Sequence, residues 1–394
     1  MSSAAAALID ATIAAREAEL VTLRRDLHAH PELSWEELRT TDAVVRALES
    51  SGWRITRLVD SGLVADLGEE GPLVALRADL DALPVHDTTE DPWASTVPGA
   101  AHACGHDLHT AALVGAALAL AEVHAAGLLP GRVRLLFQPA EEVMPGGALS
   151  LIAVGALDGV ERLFGLHCDP SLDVGFVGLR EGPITGAADH LDITITGSGG
   201  HTSRPHLTED LTYAMAKVVT ELPGILSRRL DPRAGVSMVW GIVRSGSAVN
   251  IIPHTGYLGG TVRMLDALAW EKAEKLVPEL VEQIVAPYGV HAHVDYRRGV
   301  PPVVNDPHST QLLGAAAERV LGRDGLVATL QSLGGEDFGW YLDRVPGAMC
   351  RLGTRTPGGA TYDLHQGNLR VDDRATAVGS RLLAEVAVQA TRSR

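Results

Sequence analysis

The sequence predicts an α/β fold into which a second, α+β segment is inserted. Short, continuous apolar runs alternate with helical patterns, as expected for strands that are buried in a parallel sheet. From about residue 191 the pattern changes to alternating strands separated by two helices, and the first pattern resumes near residue 309. We therefore expect one domain at residues 1–186 and 302–394, and an inserted domain at residues 187–301.

The elements of the first domain follow from the spacing of the apolar residues. Helices show apolar side chains at helical spacing, whereas the strands are short apolar runs that end in polar residues. The predicted elements, in order, are a helix at residues 8–29, a helix at 35–50, strands at 72–76, 133–137 and 163–166, a helix at 309–321, a strand at 348–352 and a helix at 374–392. An apolar run at residues 108–126 predicts a further helix, with Asp107 as its N-cap and Gly127 at its end.

The inserted segment has the order strand, helix, strand, strand, helix, strand, which is the order of a ferredoxin-like unit. Its predicted elements lie at residues 191–196, 211–226, 236–243, 255–264, 266–285 and 291–297.

Composition excludes several classes of function. The 394 residues are 46% apolar and 21% charged, which suffices for two domains with large cores. A formal net charge of −16 argues against a nucleic acid or an anionic membrane as partner. Three cysteines fit a reducing cytosol better than a disulfide framework. Residues 2–16 lack the pattern of a signal peptide, and no apolar run has the length of a membrane span, so we expect a cytoplasmic protein.

The stretch from His102 to His109 contains three His, one Cys and one Asp, which are metal-ligand residue types. Cys104 and His106 are two residues apart, so on extended backbone both side chains would leave the same face. Such a short pattern has a high false-positive rate. Taken alone, it fits a buried thiol among solvated histidines as well as it fits a metal site.

Polar residues at the ends of the predicted strands strengthen the metal interpretation, because ligands bind outside the carboxyl ends of strands in open α/β sheets. Asp79 and Asp81 follow the first strand, Glu141 and Glu142 the second, and His167 the third. An adjacent carboxylate pair can supply a metal ligand and a general base. Alone, such a pair is more often two solvated glutamates, and a histidine like His167 is more often a core residue.

Other candidate motifs are weaker. The glycine-rich turn at residues 197–205 has neither spacing of a phosphate-binding loop, and it is better interpreted as a flexible loop that presents His201. His28 and His30 fit a structural turn, and Cys168 a core position. Composition alone assigns no role to His365.

Together, these motifs resemble the M20 metallopeptidase family, and within it the amidohydrolase branch of N-acyl-amino-acid amidohydrolases, hippurate hydrolases and indole-acetyl-amino-acid hydrolases. Each motif is weak alone, but they occur in the family's order over nearly the whole chain. The matching segments are residues 25–33, 76–84, 102–109, 137–142, 165–167, 200–203, 250–253, 260–263, 335–338 and 364–365.

The resemblance implies a zinc-peptidase-like catalytic domain with an inserted dimerisation, or lid, domain. It also implies two divalent metal ions per subunit, Zn²⁺ or Mn²⁺, with Co²⁺ as a further candidate. The implied ligands are Cys104, His106, Glu142, His167 and His365, and Glu141 is the implied general base. The chain departs from the wider family at Arg77, where many members have a metal-binding histidine, and at Cys104, where they have a bridging aspartate.

In the inserted domain, the resemblance implies that His201 reaches the active site of a partner subunit in a homodimer and stabilises the oxyanion. Asn250 and Arg263 are the implied substrate-binding residues, with Arg263 facing the substrate carboxylate.

The predicted function is metal-dependent hydrolysis of N-acyl amino acids or similar small amides. A dipeptidase or carboxypeptidase of the same fold is the first alternative, since Glu336 or Asp337 could meet a free amino group. A non-catalytic small-molecule-binding protein is a second alternative, although the base and all the implied ligands are present. A nucleotide-dependent enzyme would need a phosphate-binding loop, which the sequence lacks.

Overall fold

The computed structural model describes residues 3–392. The predicted first domain also includes Met1, Ser2, Ser393 and Arg394, which lie outside the described residues. The chain divides into two compact units. Unit 1 contains the described residues up to Gly182, Val304–Leu330 and those from Trp340 onward. Unit 2 contains Pro183–Val303 and Gln331–Gly339.

The assignment of Gln331–Gly339 to the first domain was wrong. The backbone of this segment is paired inside unit 2, since Ser332 N–H donates to the carbonyl of Ile184 at 3.0 Å. The carbonyl of Leu333 accepts a hydrogen bond from Arg263 Nη1 at 2.6 Å. Sequence patterns could not predict this pairing, because the segment is far along the chain from Ile184 and Arg263 and has neither a helical nor a strand pattern.

Unit 1 is built on an eight-stranded sheet. Its strands are β1 (Arg54–Arg57), β2 (Leu63–Leu67), β3 (Leu73–Asp79), β4 (Arg132–Gln138), β5 (Val160–Asp173), β6 (Val177–Leu179), β15 (Leu326–Ala328) and β16 (Gly347–Arg355). Their order is β1-β2-β4-β3-β5-β16-β6-β15. The four central strands, β4, β3, β5 and β16, are parallel, which confirms that the continuous apolar runs are buried parallel strands.

The helices of unit 1 are α1 (Ser3–Ala29), α2 (Leu38–Leu48), α3 (His106–Ala125), α4 (Ala148–Ala153), α7 (Pro307–Leu321) and α9 (Arg374–Ala390), with a 3₁₀ turn at Arg323–Gly325. Helix α3 packs against α1 and α9 in the centre of the unit. A side chain at Gly115 would clash with Ser380, so α3 and α9 approach each other closely there. Among the described residues, α3 is the one helix long and apolar enough to cross a membrane, and its burial in the core accounts for that composition.

The prediction of Asp107 as the N-cap of α3 was wrong. The helix begins at His106, and the capping position is Gly105, which has a φ of 80°. A Cβ at residue 105 would also meet Cys168 Sγ at 2.6 Å, so the turn requires glycine. Asp107 instead lies buried in the first helical turn and accepts hydrogen bonds from Arg24 and His28, each at 2.9 Å.

Unit 2 has a four-stranded antiparallel sheet in the order β10-β12-β8-β13. Its elements are β8 (Ala187–Thr196), β9 (Gly200–His201), α5 (Leu211–Arg229), β10 (Ser237–Ser245), β11 (Ile251–Ile252), β12 (Thr255–Met264), α6 (Ala267–Val285) and β13 (His291–Val300), with 3₁₀ turns at Pro205–Leu207, Pro232–Ala234 and Ala286–Tyr288. Helices α5 and α6 pack against each other. This connectivity and strand order are those of a ferredoxin-like unit. The junction elements are β7 (Gly182–Pro183), β14 (Val304–Asn305) and α8 (Gly339–Leu342).

Candidate metal centre

Unit 1 brings all five predicted metal ligands together near the amino terminus of α3. Cys104 belongs to two groups of possible ligand atoms, in each of which all atoms lie within 4.8 Å of one another. We name Cys104, His106 and His167 the closed half of the centre, because all three side chains are buried. We name Glu142 and His365 the open half, because the His365 side chain is 56% exposed.

In the closed half, hydrogen bonds fix the orientation of both imidazoles. His106 Nδ1 lies 2.9 Å from the carbonyl of Asp81, and His167 Nδ1 lies 2.8 Å from the carbonyl of Cys168. A carbonyl only accepts, so each Nδ1 carries the proton and, in the neutral ring, Nε2 carries a lone pair. His167 Nε2 lies 3.5 Å from Cys104 Sγ.

The open half lies on irregular backbone. His365 has a φ of 62°, and its N–H donates to the carbonyl of Ala103 at 2.7 Å, next to Cys104. Its Nε2 lies 3.4 Å from Glu142 Oε2. The backbone pairing at Ala103 thus places a loop histidine beside a ligand that is remote in sequence. Sequence patterns could not predict this approach, because residues 360–370 lack periodic spacing.

The donor set fits divalent metal ions. Among the described residues, His106 Nε2 and Glu142 Oε1 are buried atoms without a hydrogen-bond partner, and they lie 3.7 Å apart. Buried polar atoms are normally paired, so two unpaired atoms of ligand type at this edge favour bound cations. Cys104, His106 and His167 could hold one ion, and Cys104, Glu142 and His365 could hold another.

The electrostatics of the centre couple metal binding to proton release. Burial raises the pKa of the Cys104 thiol well above its usual value, and the nearby Glu142 and Glu141 raise it further. Burial lowers the pKa of His106, but Asp79, Asp81 and Glu142 outweigh it and raise that pKa to about 10. Burial is the main reason that the pKa of His167 lies well below its ordinary value and that the pKa of His365 is also lowered. A cation would therefore have to displace protons from Cys104 and His106.

His109 lies beside the centre but its two ring nitrogens are committed elsewhere. Nδ1 lies 2.6 Å from Asp79 Oδ1, and Nε2 accepts a hydrogen bond from Cys168 N–H at 2.8 Å. Because an N–H donor occupies Nε2, that nitrogen has no lone pair left for a metal. Asp79 is also paired with the buried Arg77.

Glu141 and Glu142 lie on a sharp turn that follows β4. Glu141 Oε2 is 3.9 Å from His106 Nε2, so the predicted base lies beside the predicted ligands. Glu142 N–H donates to Asp81 Oδ2 at 2.9 Å. From sequence, Asp81 is only a polar residue after a strand, but its contacts with both His106 and Glu142 show that it orients two of the predicted ligands.

Unit 2 brings His201 and Asn250 together. Strand β9 pairs with β11 through His201 and Ile251, and Thr202 N–H donates to the carbonyl of Asn250 at 3.3 Å. Ser203 N–H donates to His201 Nδ1 at 3.1 Å, so the proton of the neutral ring is on Nε2, where it can be donated to a negatively charged oxygen. Arg263 lies on β12 in the same unit.

These features define a metal-dependent hydrolase. The sequence profile described as peptidase family M20/M25/M40 matches residues 75–389. The chain belongs to this family, and within it to the amidohydrolase branch. It is an enzyme, which confirms the class predicted from the sequence.

A Rhodococcus jostii protein that bears the name of a glutamate–cysteine ligase is 50% identical over 369 residues, which is 93% of this chain. The chain spans only 46% of that relative, so the relative's name describes a much longer protein. An N-acetyl-L-cysteine deacetylase from Bacillus subtilis is 38% identical over 94% of this chain and 88% of its own length. The solved structure of the Bacillus subtilis YxeP protein, described as a dinuclear metal-binding M20 peptidase, is 34% identical, with a TM-score of 0.84 over 96% of this chain and 99% of that one.

Proposed function

We propose that the protein hydrolyses the amide bond of N-acyl amino acids or similar small amides and releases a carboxylic acid and an amino acid. The observation that carries this proposal is the convergence of Cys104, His106 and His167 with the Glu141–Glu142 pair. The deacetylase relative supports the substrate class, because its name describes removal of an acetyl group from an amino acid.

Two divalent ions, Zn²⁺ or Mn²⁺ with Co²⁺ as a further candidate, would supply a water of lowered pKa and an electrophile for the substrate carbonyl. Glu141 would accept a proton from that water and deliver it to the departing amine. The thiolate of Cys104 favours zinc, since soft ligands select soft or borderline metals.

The proposed dimer brings the residues of unit 2 into the reaction. His201 would donate from Nε2 to the oxyanion in the partner's active site, and Asn250 and Arg263 would bind the substrate. Strand β10 is at the edge of its sheet, and Val239 and Val243 on it are 60% and 57% exposed. Exposed apolar edge strands are pairing sites, which supports unit 2 as the dimerisation and lid domain. We place the enzyme in the cytoplasm, without nucleic-acid or membrane partners.

The dipeptidase or carboxypeptidase alternative is less favoured, and a non-catalytic role is not supported by the family's hydrolases. Because YxeP is described as a peptidase, dipeptides are included among the substrates to be tested.

The experiment measures metal content by mass spectrometry beside hydrolysis of N-acetyl and N-benzoyl amino acids and of dipeptides, before and after chelation. We expect about two metals per chain and chelator-sensitive release of free amino acid. Metal with hydrolysis of dipeptides only would favour the alternative. Absence of metal after addition of Zn²⁺, Mn²⁺ or Co²⁺ would contradict the proposal.

Two variants assign the carboxylates. Glu141→Gln should lose turnover and keep its metal, since a general base contributes about 10²- to 10⁴-fold. Glu142→Gln is the matched control and should lose metal. The reverse result would exchange their roles.

Mixed dimers test the role of His201. Inactive His201→Ala and Glu141→Ala subunits should regain activity when they are combined in one dimer. No rescue in verified mixed dimers would place His201 in its own subunit's site or outside catalysis.

A further inference from the structure

The turn that carries Glu141 and Glu142 has a strained backbone. Ala140 has a φ of 54°, a region that residues with a Cβ rarely adopt, and its side chain is fully buried. A strained residue of this kind persists only where its surroundings hold it in place. The contacts of Ala140 therefore show what fixes the direction of the two glutamates.

Glu37 holds the amide of Ala140. Its side chain is completely buried, and its Oε1 accepts hydrogen bonds from Ala140 N–H at 2.7 Å and from Trp35 N–H at 3.0 Å. Its Oε2 accepts from the hydroxyl of Ser61. Hydrogen bonds are stronger in the buried interior than in water, so this contact can hold a strained turn.

Glu37 does not use its side chain to cap the helix that follows it. Glu37 is the residue before α2, but its side chain makes no capping hydrogen bond to that helix. Glu32 does so instead, because its two oxygens accept from the backbone N–H groups of Arg39 at 3.0 Å and Thr40 at 2.7 Å. Glu37 is thereby directed to the turn at residue 140.

A second carboxylate holds the other side of the turn. Asp81 Oδ2 accepts from Glu142 N–H at 2.9 Å and from the hydroxyl of Ser34 at 2.7 Å. The amides that precede and follow Glu141 are therefore both bound to buried carboxylates. The side chain of Glu141 projects from a backbone that is fixed on both sides.

We propose that Glu37 is a positioning residue that, through Ala140 N–H, orients the carboxylate of Glu141 for proton transfer. The inference rests on the proposed role of Glu141 as the general base. A misplacement of about 1 Å can cost roughly 100-fold in rate, so loss of this contact should lower kcat far more than it changes KM.

The test compares Glu37→Gln with Glu37→Asp. Glutamine keeps an acceptor oxygen at the same reach, so kcat should stay within about threefold of wild type. Aspartate keeps the charge but is one methylene shorter, so kcat should fall roughly 30- to 100-fold with metal content and KM nearly unchanged. The acidic limb of the kcat–pH profile should also move in the aspartate variant, because it reports the base in the bound complex.

Glu32→Ala is the matched control from the same segment. It removes the cap of α2 and should lower Tm, while kcat per folded molecule and the pH profile stay as in wild type. Equal losses of kcat in Glu32→Ala and Glu37→Asp would show a general structural effect and overturn the inference. A wild-type kcat and pH profile in Glu37→Asp would also overturn it.

If Glu37→Asp does not fold, Ala140→Gly decides the question. Glycine adopts a positive φ without strain and loosens the turn, so a loss of kcat with intact metal content supports the inference, and a wild-type kcat overturns it. The Glu141→Gln variant distinguishes a failure of the positioning role of Glu37 from a failure of the proposed function. If that variant keeps turnover, the role of Glu141 fails, whereas an inactive Glu141→Gln beside a fully active Glu37→Asp refutes only the positioning role.

Discussion

The closed and open halves of the metal centre differ in how firmly the fold holds their ligands. His106 and His167 are buried, and each has a backbone carbonyl that fixes its tautomer. His365 is 56% exposed and lies at a left-handed backbone position on a loop. Ligands with fixed orientation bind a metal without reorganisation, so the closed half should hold its ion more tightly. The difference indicates that the two ions can be removed one at a time.

The largest effect should follow from His106→Ala. His106 belongs to the closed half and also lies 3.7 Å from Glu142, so its loss weakens both ion sites. We expect less than one metal per chain and a fall in kcat of about 10³-fold or more, which corresponds to roughly 4 kcal/mol. Mass spectrometry and steady-state kinetics measure the two quantities. Retention of both ions would contradict the ligand assignment.

His365→Ala should have a smaller effect and separate the two halves. It removes one ligand of the open half and leaves Cys104, His106 and His167 in place. We expect loss of about one ion per chain and a fall in kcat of about 100-fold, or roughly 3 kcal/mol. Loss of both ions in this variant would show that the halves bind metal as one cooperative site.

Metal affinity should fall as pH falls, because binding displaces protons. The pKa of His106 is raised to about 10 and that of Cys104 is raised above its usual value, so both are protonated at pH 8 without metal. Release of two protons predicts that the affinity of the closed half falls about 100-fold for each pH unit lowered between pH 9 and 7. The pKa of Glu142, raised to about 7 chiefly by burial, adds a further proton below that pH.

Competition against a chelating indicator at several pH values measures this slope. In Cys104→Ser one proton fewer is displaced, so the dependence should weaken to about tenfold per pH unit. If metal affinity depended on pH equally in wild type and in Cys104→Ser, Cys104 would not be a ligand that loses a proton on metal binding.

Sequence patterns indicated every proposed ligand except His365, for a physical reason. Cys104, His106 and His167 lie on or beside regular elements, whose apolar spacing places their ends at one edge of a parallel sheet. His365 and segment 331–339 lie on irregular backbone, which hydrogen bonds to remote residues determine. Only the resemblance to the family pointed to His365.

The sequence pattern also could not predict the local geometry at the start of α3. Asp107 is a residue type that favours the N-cap position, but the contact of Cys168 with Gly105 fixes the turn two residues earlier. Asp107 then pairs with Arg24, which is contributed by α1. Capping rules describe local competition for backbone N–H groups, and a buried ion pair from another helix overrides them.

The smallest effect on metal and catalysis should come from His109→Gln, although His109 lies on the same helix one turn beyond the closely similar His106. Its Nδ1 donates to Asp79 and its Nε2 accepts from Cys168 N–H, so both nitrogens serve the fold rather than an ion. Glutamine cannot reach both partners in the imidazole geometry, so one buried group loses its hydrogen bond at a cost of about 1–3 kcal/mol of unfolding free energy. We expect two metals per chain, kcat within about threefold of wild type and a lower midpoint in urea. If His109→Gln instead lost an ion as His106→Ala does, the tautomer argument would fail, and with it the assignment of His106 as a ligand and His109 as a structural residue.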